Sequence, residues 1–143
     1  MNRLFVVSLM AVGAMAAADA IPPVTFVGHD KVTEALAKGG PIASGSDLSV
    51  SGSHRTGPGK VEVHDKQTDI MYFLDGSATL VTGGTMVDGK QTGPGQWLGT
   101  DVKGGETRKV TKGDVVVVPA GTPHWFKEMP GPISYYVVKV LKP

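Results

Sequence analysis

From residue 48 onward, apolar and polar side chains alternate in short runs, each closed by turn residues. Residues 48–55 (LSVSGSHR), 61–65, 70–74 and 78–82 read as strands. They are parted by residues 56–59, residues 66–68 and the dipeptide Asp75-Gly76, the last a hairpin signal. Residues 107–110 and 114–118 follow, and the β-branched run Val115–Val118 predicts a buried strand. Residues 125–128 and 133–141 complete the set. The glycine-rich stretch 83–105 predicts a loop over one end, with a short strand near residues 97–102. Many short strands with a turn between each pair predict an all-β sandwich or barrel.

The periodicity differs before residue 48. Val32, Ala35 and Leu36 share one face of a predicted short helix over residues 29–40, with Asp30 as N-cap and Gly39-Gly40 closing it. That helix would cover one sheet or a barrel end. Residues 21–27 predict a short edge strand or an extended arm. Further upstream, Arg3 precedes an apolar run at residues 4–18, shorter than the roughly 20 residues a membrane-spanning helix needs. Ala18-Asp19-Ala20 then offers small residues where a signal peptidase reads. Residues 1–20 therefore predict a signal peptide and residues 21–143 the folded domain. A periplasmic or secreted protein follows, with no stable membrane insertion after cleavage. A cut after Ala18 and an uncleaved anchor are the other readings.

Composition narrows this picture in three ways. A length of 143 residues suits one folded domain. The absence of cysteine excludes disulfides and thiolate metal ligands, so stability after export must come from a packed core. Lys+Arg at 14 against Asp+Glu at 13 leaves a net charge of +1, with no basic stripe to bind nucleic acid.

The candidate chemistry lies on strands. Glu62 and His64 are two residues apart on one strand and so face the same side. Asp69 opens the next strand after a turn and can face the same cavity. Pro119 and Gly121 enforce a bend, after which His124 begins a distant strand. Two imidazoles with one or two carboxylates suit a divalent cation such as Mn, Fe, Zn, Ni or Cu. Asp69 is either a ligand or a tie for its turn. Glu62 is a ligand, a general base beside a bound molecule, or a surface acid. Glu128 follows His124 at an even offset, as an acid near the same site. His54 lines the cavity mouth or the surface, and His29 lies on the surface. Met71, Phe73 and Phe126 are inward residues of the core or pocket wall. Trp125 points outward, toward a subunit interface, and Trp97 anchors or lids the long loop.

Gly113, five residues, Pro119-x-Gly121, two residues and His124 together resemble the second motif of the cupin superfamily. The final motif position, usually Asn, is Glu128. Glu62-x-His64, four residues, Asp69, six residues and Gly76 resemble the first motif. There Glu62 replaces the first His, Asp69 replaces the usual Glu, and Gly57 stands one residue closer than usual. The resemblance spans about residues 48–141. It implies an all-β, double-stranded β-helix or jelly-roll barrel with one short N-terminal helix. It also implies a homodimer and a divalent metal at His64, His124, Asp69 and Glu62. Relative to three His and one Glu, the extra carboxylate favours Mn or Fe. The implied function is a metal-dependent dioxygenase or lyase/isomerase acting on a small oxygenated molecule, with Glu62 or Glu128 moving protons. A non-catalytic module binding a small molecule or a metal is the alternative. A barrel kept only for assembly is the third reading.

Overall fold

The computed structural model describes residues 23–142. One helix, α1 (His29–Lys38), precedes thirteen strands. In chain order these are β1 (Gly40–Ser44), β2 (Leu48–Arg55), β3 (Val61–His64), β4 (Gln67–Asp75), β5 (Ser77–Thr82), β6 (Thr85–Val87), β7 (Lys90–Gly93), β8 (Gln96–Gly99), β9 (Asp101–Lys103), β10 (Glu106–Thr111), β11 (Val115–Val118), β12 (His124–Glu128) and β13 (Ile133–Leu141). They form a five-stranded sheet in the order β1-β2-β13-β4-β11 and a six-stranded sheet in the order β10-β5-β12-β3-β8-β7. From β3 to β5, and again from β10 to β13, consecutive strands alternate between the sheets. All pairings are antiparallel, and the result is the jelly roll that the family resemblance implies, one form of the sandwich or barrel that the strand pattern predicts.

The core lies between the sheets because each strand turns alternate side chains inward. On β4, Asp69, Met71 and Phe73 are buried while Tyr72 faces out. On β13, Ile133, Tyr135 and Val137 are buried. Phe73, Phe126 and Tyr135 meet at centroid separations of 5.3 to 6.2 Å, binding the two sheets through aromatic contact. Helix α1 lies on β2, where Gly52 lets the helix backbone come close: a Cβ there would stand 2.5 Å from the Ala35 carbonyl carbon.

Several predicted features are displaced. Asp75-Gly76 does not close a hairpin, since β4 and β5 lie in different sheets. Gly76 is instead a corner packed against Pro132 and Ile133. The run Val115–Val118 is an edge strand rather than a buried one, with Val115 59% and Val117 57% exposed. Val115 and Val117 stand on the outer face of the sheet, where nothing packs over them, while Val118 turns inward. Residues 83–105 hold two nested hairpins, β7–β8 within β6–β9, rather than one loop and one strand. The helix starts after Gly28, so Asp30 lies in its first turn and is not the N-cap. Residues 23–28 form no strand, so the predicted edge strand is not present there, and Val24 and Phe26 are exposed. The predicted signal peptide over residues 1–20 lies outside the described residues. Among the described residues no helix is long and apolar enough to cross a membrane.

Candidate metal centre

Three strands from two sheets bring the predicted residues to one cavity. Glu62 and His64 stand two apart on β3, and His124 on β12 is paired directly opposite Glu62. The turn before β12 is tied to β3, because the Gly121 amide donates to the His64 carbonyl at 2.8 Å. Gly121 has φ 79°, a backbone conformation that favours glycine at this bend. One ligating atom each from Glu62, His64 and His124 lies within 4.8 Å of the others. Both histidines are buried.

Hydrogen bonds on the far side of each ring decide what faces the cavity. His64 Nδ1 lies 2.5 Å from the Gln96 side-chain oxygen, which can only accept, so Nδ1 carries the proton. Gln96 is itself oriented by donating to Gln67 at 3.4 Å. His124 Nδ1 donates to the Thr122 carbonyl at 3.2 Å. Both Nε2 atoms are therefore lone-pair acceptors turned inward. His64 Nε2 is buried with no hydrogen-bond partner, and its 3.6 Å approach to Glu62 Oε2 is too long to be one.

Charge follows the same geometry. Glu62 Oε1 accepts from the Arg55 guanidinium at 2.9 Å, which leaves Oε2 toward the imidazoles. Burial alone would raise the Glu62 carboxyl, but a proton on His64 Nε2, taken up when no cation occupies the site, and the Arg55 guanidinium outweigh it and hold the group at about 2. Burial lowers the His124 imidazole below its ordinary value and so favours its neutral form. Arg55 also donates to the Tyr135 hydroxyl at 2.9 Å and stacks over Phe126 at 4.7 Å. The cavity, about 110 Å³, is walled on its apolar side by Met71, Phe126 and Val137.

The other predicted residues divide. Asp69 enters the cavity from β4, with Oδ2 3.6 Å from His64 Nε2 and 3.8 Å from His124 Nε2. Both its oxygens accept from Lys139, at 2.9 and 2.7 Å, so it faces both imidazoles as an already paired carboxylate. Glu128 is exposed and accepts from Thr79 outside the cavity. A bulge between Phe126 and Glu128 breaks the even-offset parity that would have turned it inward. His54 is exposed and hydrogen-bonded to Ser134, on the opposite side of β2 from Ser53 and Arg55. His29 is exposed on α1. Met71 and Phe126 line the cavity, while Phe73 is fully buried core. Trp125 faces away from the cavity and donates to the Gly59 carbonyl. Trp97 anchors β8 by donating to Asp65. Arg55, Lys139 and Gln96 were not singled out from sequence. Two of them were open to detection by parity: Arg55 continues the inward register of Ser53, and Lys139 continues that of Ile133, Tyr135 and Val137. Gln96 gives no such signal, because only the pairing of β8 with β3 places it opposite His64.

The comparisons with known proteins agree with this architecture. A Bacillus halodurans protein of known structure shares the fold at a TM-score of 0.57 and 16% identity, covering 85% of this chain and 84% of that one. KdgF from Halomonas sp. superposes at 0.52 with 17% identity, covering 73% of this chain and 79% of its own. The cupin domain of Schizosaccharomyces pombe Cnp3 superposes at 0.52 with 11% identity, covering 72% of this chain and 59% of its own. No curated protein matches the sequence. The family profile described as Cupin matches residues 29–133, a span that includes both motifs and every residue of the triad, so the chain belongs to the cupin family.

Proposed function

We propose that Glu62, His64 and His124 hold a divalent metal ion, and that the protein is an exported metal-dependent enzyme acting on a small oxygenated molecule. One observation carries this reading. Three acceptor atoms converge in a buried site, with no proton between the two imidazole nitrogens and a buried His64 Nε2 that nothing on the protein satisfies. A buried acceptor left unsatisfied beside two more acceptor atoms calls for a cation. The nitrogen and oxygen donors suit Mn, Fe, Zn, Ni or Cu, and a bound ion would supply Lewis acidity toward substrate oxygen. Gln96 and the Thr122 carbonyl hold the imidazoles in the ligating tautomer. Arg55 keeps Glu62 ionised, which suits it to ligation rather than to taking up protons at neutral pH. Met71, Phe126 and Val137 exclude water from one side of the cavity. Tyr135 accepts from Arg55, which leaves its own O–H free to donate to a bound molecule.

A non-catalytic binding module is the second reading. It is favoured by the loss of both expected proton carriers, since Glu62 is held as its anion and Glu128 lies outside the cavity. Elemental analysis of mature protein, purified without chelator or metal-affinity tag, tests the shared premise. About one equivalent of metal is expected in the parent and much less in His64→Ala and His124→Ala. A parent that stays metal-free after reloading removes the metal reading. A bound small molecule recovered unchanged after long incubation with metal-loaded protein favours the module over the enzyme.

A further inference from the structure

Asp69 faces the triad from the opposite sheet and is only 4% exposed, yet both its oxygens are taken by Lys139. Register builds this pair: Lys139 on β13 lies directly across the ladder from Asp69 on β4. Glu62 is compensated in the same way by Arg55, which Tyr135 and Phe126 hold in place. The two carboxylates and two cations at the cavity therefore cancel, and the two histidines present neutral nitrogens. A divalent ion at Glu62, His64 and His124 would add two positive charges that no protein group offsets. Uncompensated charge in a buried site draws an anion. The cavity has room for little. At about 110 Å³ it holds roughly three to four waters at about 30 Å³ each. Ser53 and Tyr135 add hydroxyls to its wall. An ammonium has three donors, so Lys139 keeps hydrogen-bonding capacity beyond its two contacts to Asp69.

We propose that the ligand of this site is a small oxyanion of carboxylate size, accepted because Lys139 neutralises Asp69 and Arg55 neutralises Glu62, so that the charge of the metal is left for the ligand. This rests on the metal reading above. Lys139 is thus a specificity-determining residue, and its pairing keeps Asp69 from acting as a metal ligand.

The test uses the mature chain loaded with Co(II), read by its visible absorption bands, and titrated with acetate, oxalate and the neutral acetamide. Acetate and oxalate are expected to shift the bands saturably, the comparison of the two showing whether one or two carboxylates are preferred, while acetamide at equal concentration does not. Asp69→Asn leaves Lys139 uncompensated and should tighten acetate binding about tenfold or more. Lys139→Met leaves Asp69 uncompensated and should weaken it by a similar factor. The double variant carries neither charge and should return close to the parent, which keeps the test decisive if Lys139→Met alone folds poorly. Three results overturn the proposal: acetamide acting like acetate, acetate affinity equal in parent, Asp69→Asn and the double variant, or loss of Co(II) from Asp69→Asn. Failure of the parent to bind Co(II), or equal binding by His124→Ala, instead defeats the metal reading and this inference with it.

Discussion

At Glu62, a carboxylate among two imidazoles and a guanidinium, burial and charge act in opposite directions. Burial would favour the neutral acid, but in metal-free protein a protonated His64 and Arg55 outweigh it and hold the group at about 2 against an ordinary 4.5. A carboxyl lowered on folding contributes stability above its unfolded value and loses it as pH falls toward the folded one. In metal-free protein the Glu62 contribution, about 3 kcal/mol at most, should disappear between pH 4.5 and about 2. Burial lowers His124 from 6.5, so the unfolded chain takes up that proton first and stability also declines below pH 6.5. Urea midpoints of chelated protein, measured from pH 7 to pH 3, should fall in both windows. Glu62→Gln should flatten the lower one, and an unchanged profile in that variant would remove the assignment.

The same scale shows why some site residues are legible in sequence and others are not. Glu62 and His64 need only strand parity to share a face, and His124 needs only the bend at Pro119 and Gly121. Glu128 fails because parity assumes an unbroken ladder, and a bulge after Phe126 resets it. Asp69 reaches the cavity as its position implies, but its partner Lys139 is 70 residues away in sequence and meets it only through register.

At the scale of elements, α1 and β2 meet through Gly52, against which the backbone at Ala35 packs without an intervening side chain. A Cβ at Gly52 must displace the helix, and overpacking of this kind costs about 1–3 kcal/mol. Gly52→Ala should therefore lower the thermal midpoint by several degrees while leaving metal content unchanged, because α1 does not line the cavity. A midpoint equal to the parent's would mean that the helix shifts without loss. The nested hairpins of β6–β9 carry a second lesson. Their glycines predict turns, which is correct, but the long excursion adds β8 to β3 and so delivers Gln96 to His64.

Across the whole molecule, the sandwich leaves an apolar row at one sheet edge. Val115 and Val117 on β11 and Tyr72 on β4 are 59%, 57% and 44% exposed, and Val115 pairs with Tyr72 across the ladder. The homodimer expected from the family resemblance has a suitable surface here, an edge strand with unpaired backbone groups and apolar side chains. Sedimentation of the protein at micromolar concentration should then give a dimer, and Val117→Lys should give a monomer with the same metal content as the parent. A parent that sediments as a monomer throughout would withdraw the dimer.

Period-two alternation and turn residues were enough to determine an all-β chain of short strands with one leading helix. Strand parity put Glu62 and His64 on one face, a matter of neighbours within a few residues, while resemblance to two family motifs joined them to Asp69 and the distant His124. Only the tertiary structure decided which sheet each strand joins, that Val115–Val118 lies at an edge, and that Asp69 pairs with Lys139. Those outcomes depend on ladders between segments tens of residues apart, where the partner of a strand is chosen by the packing of the whole core rather than by its own sequence.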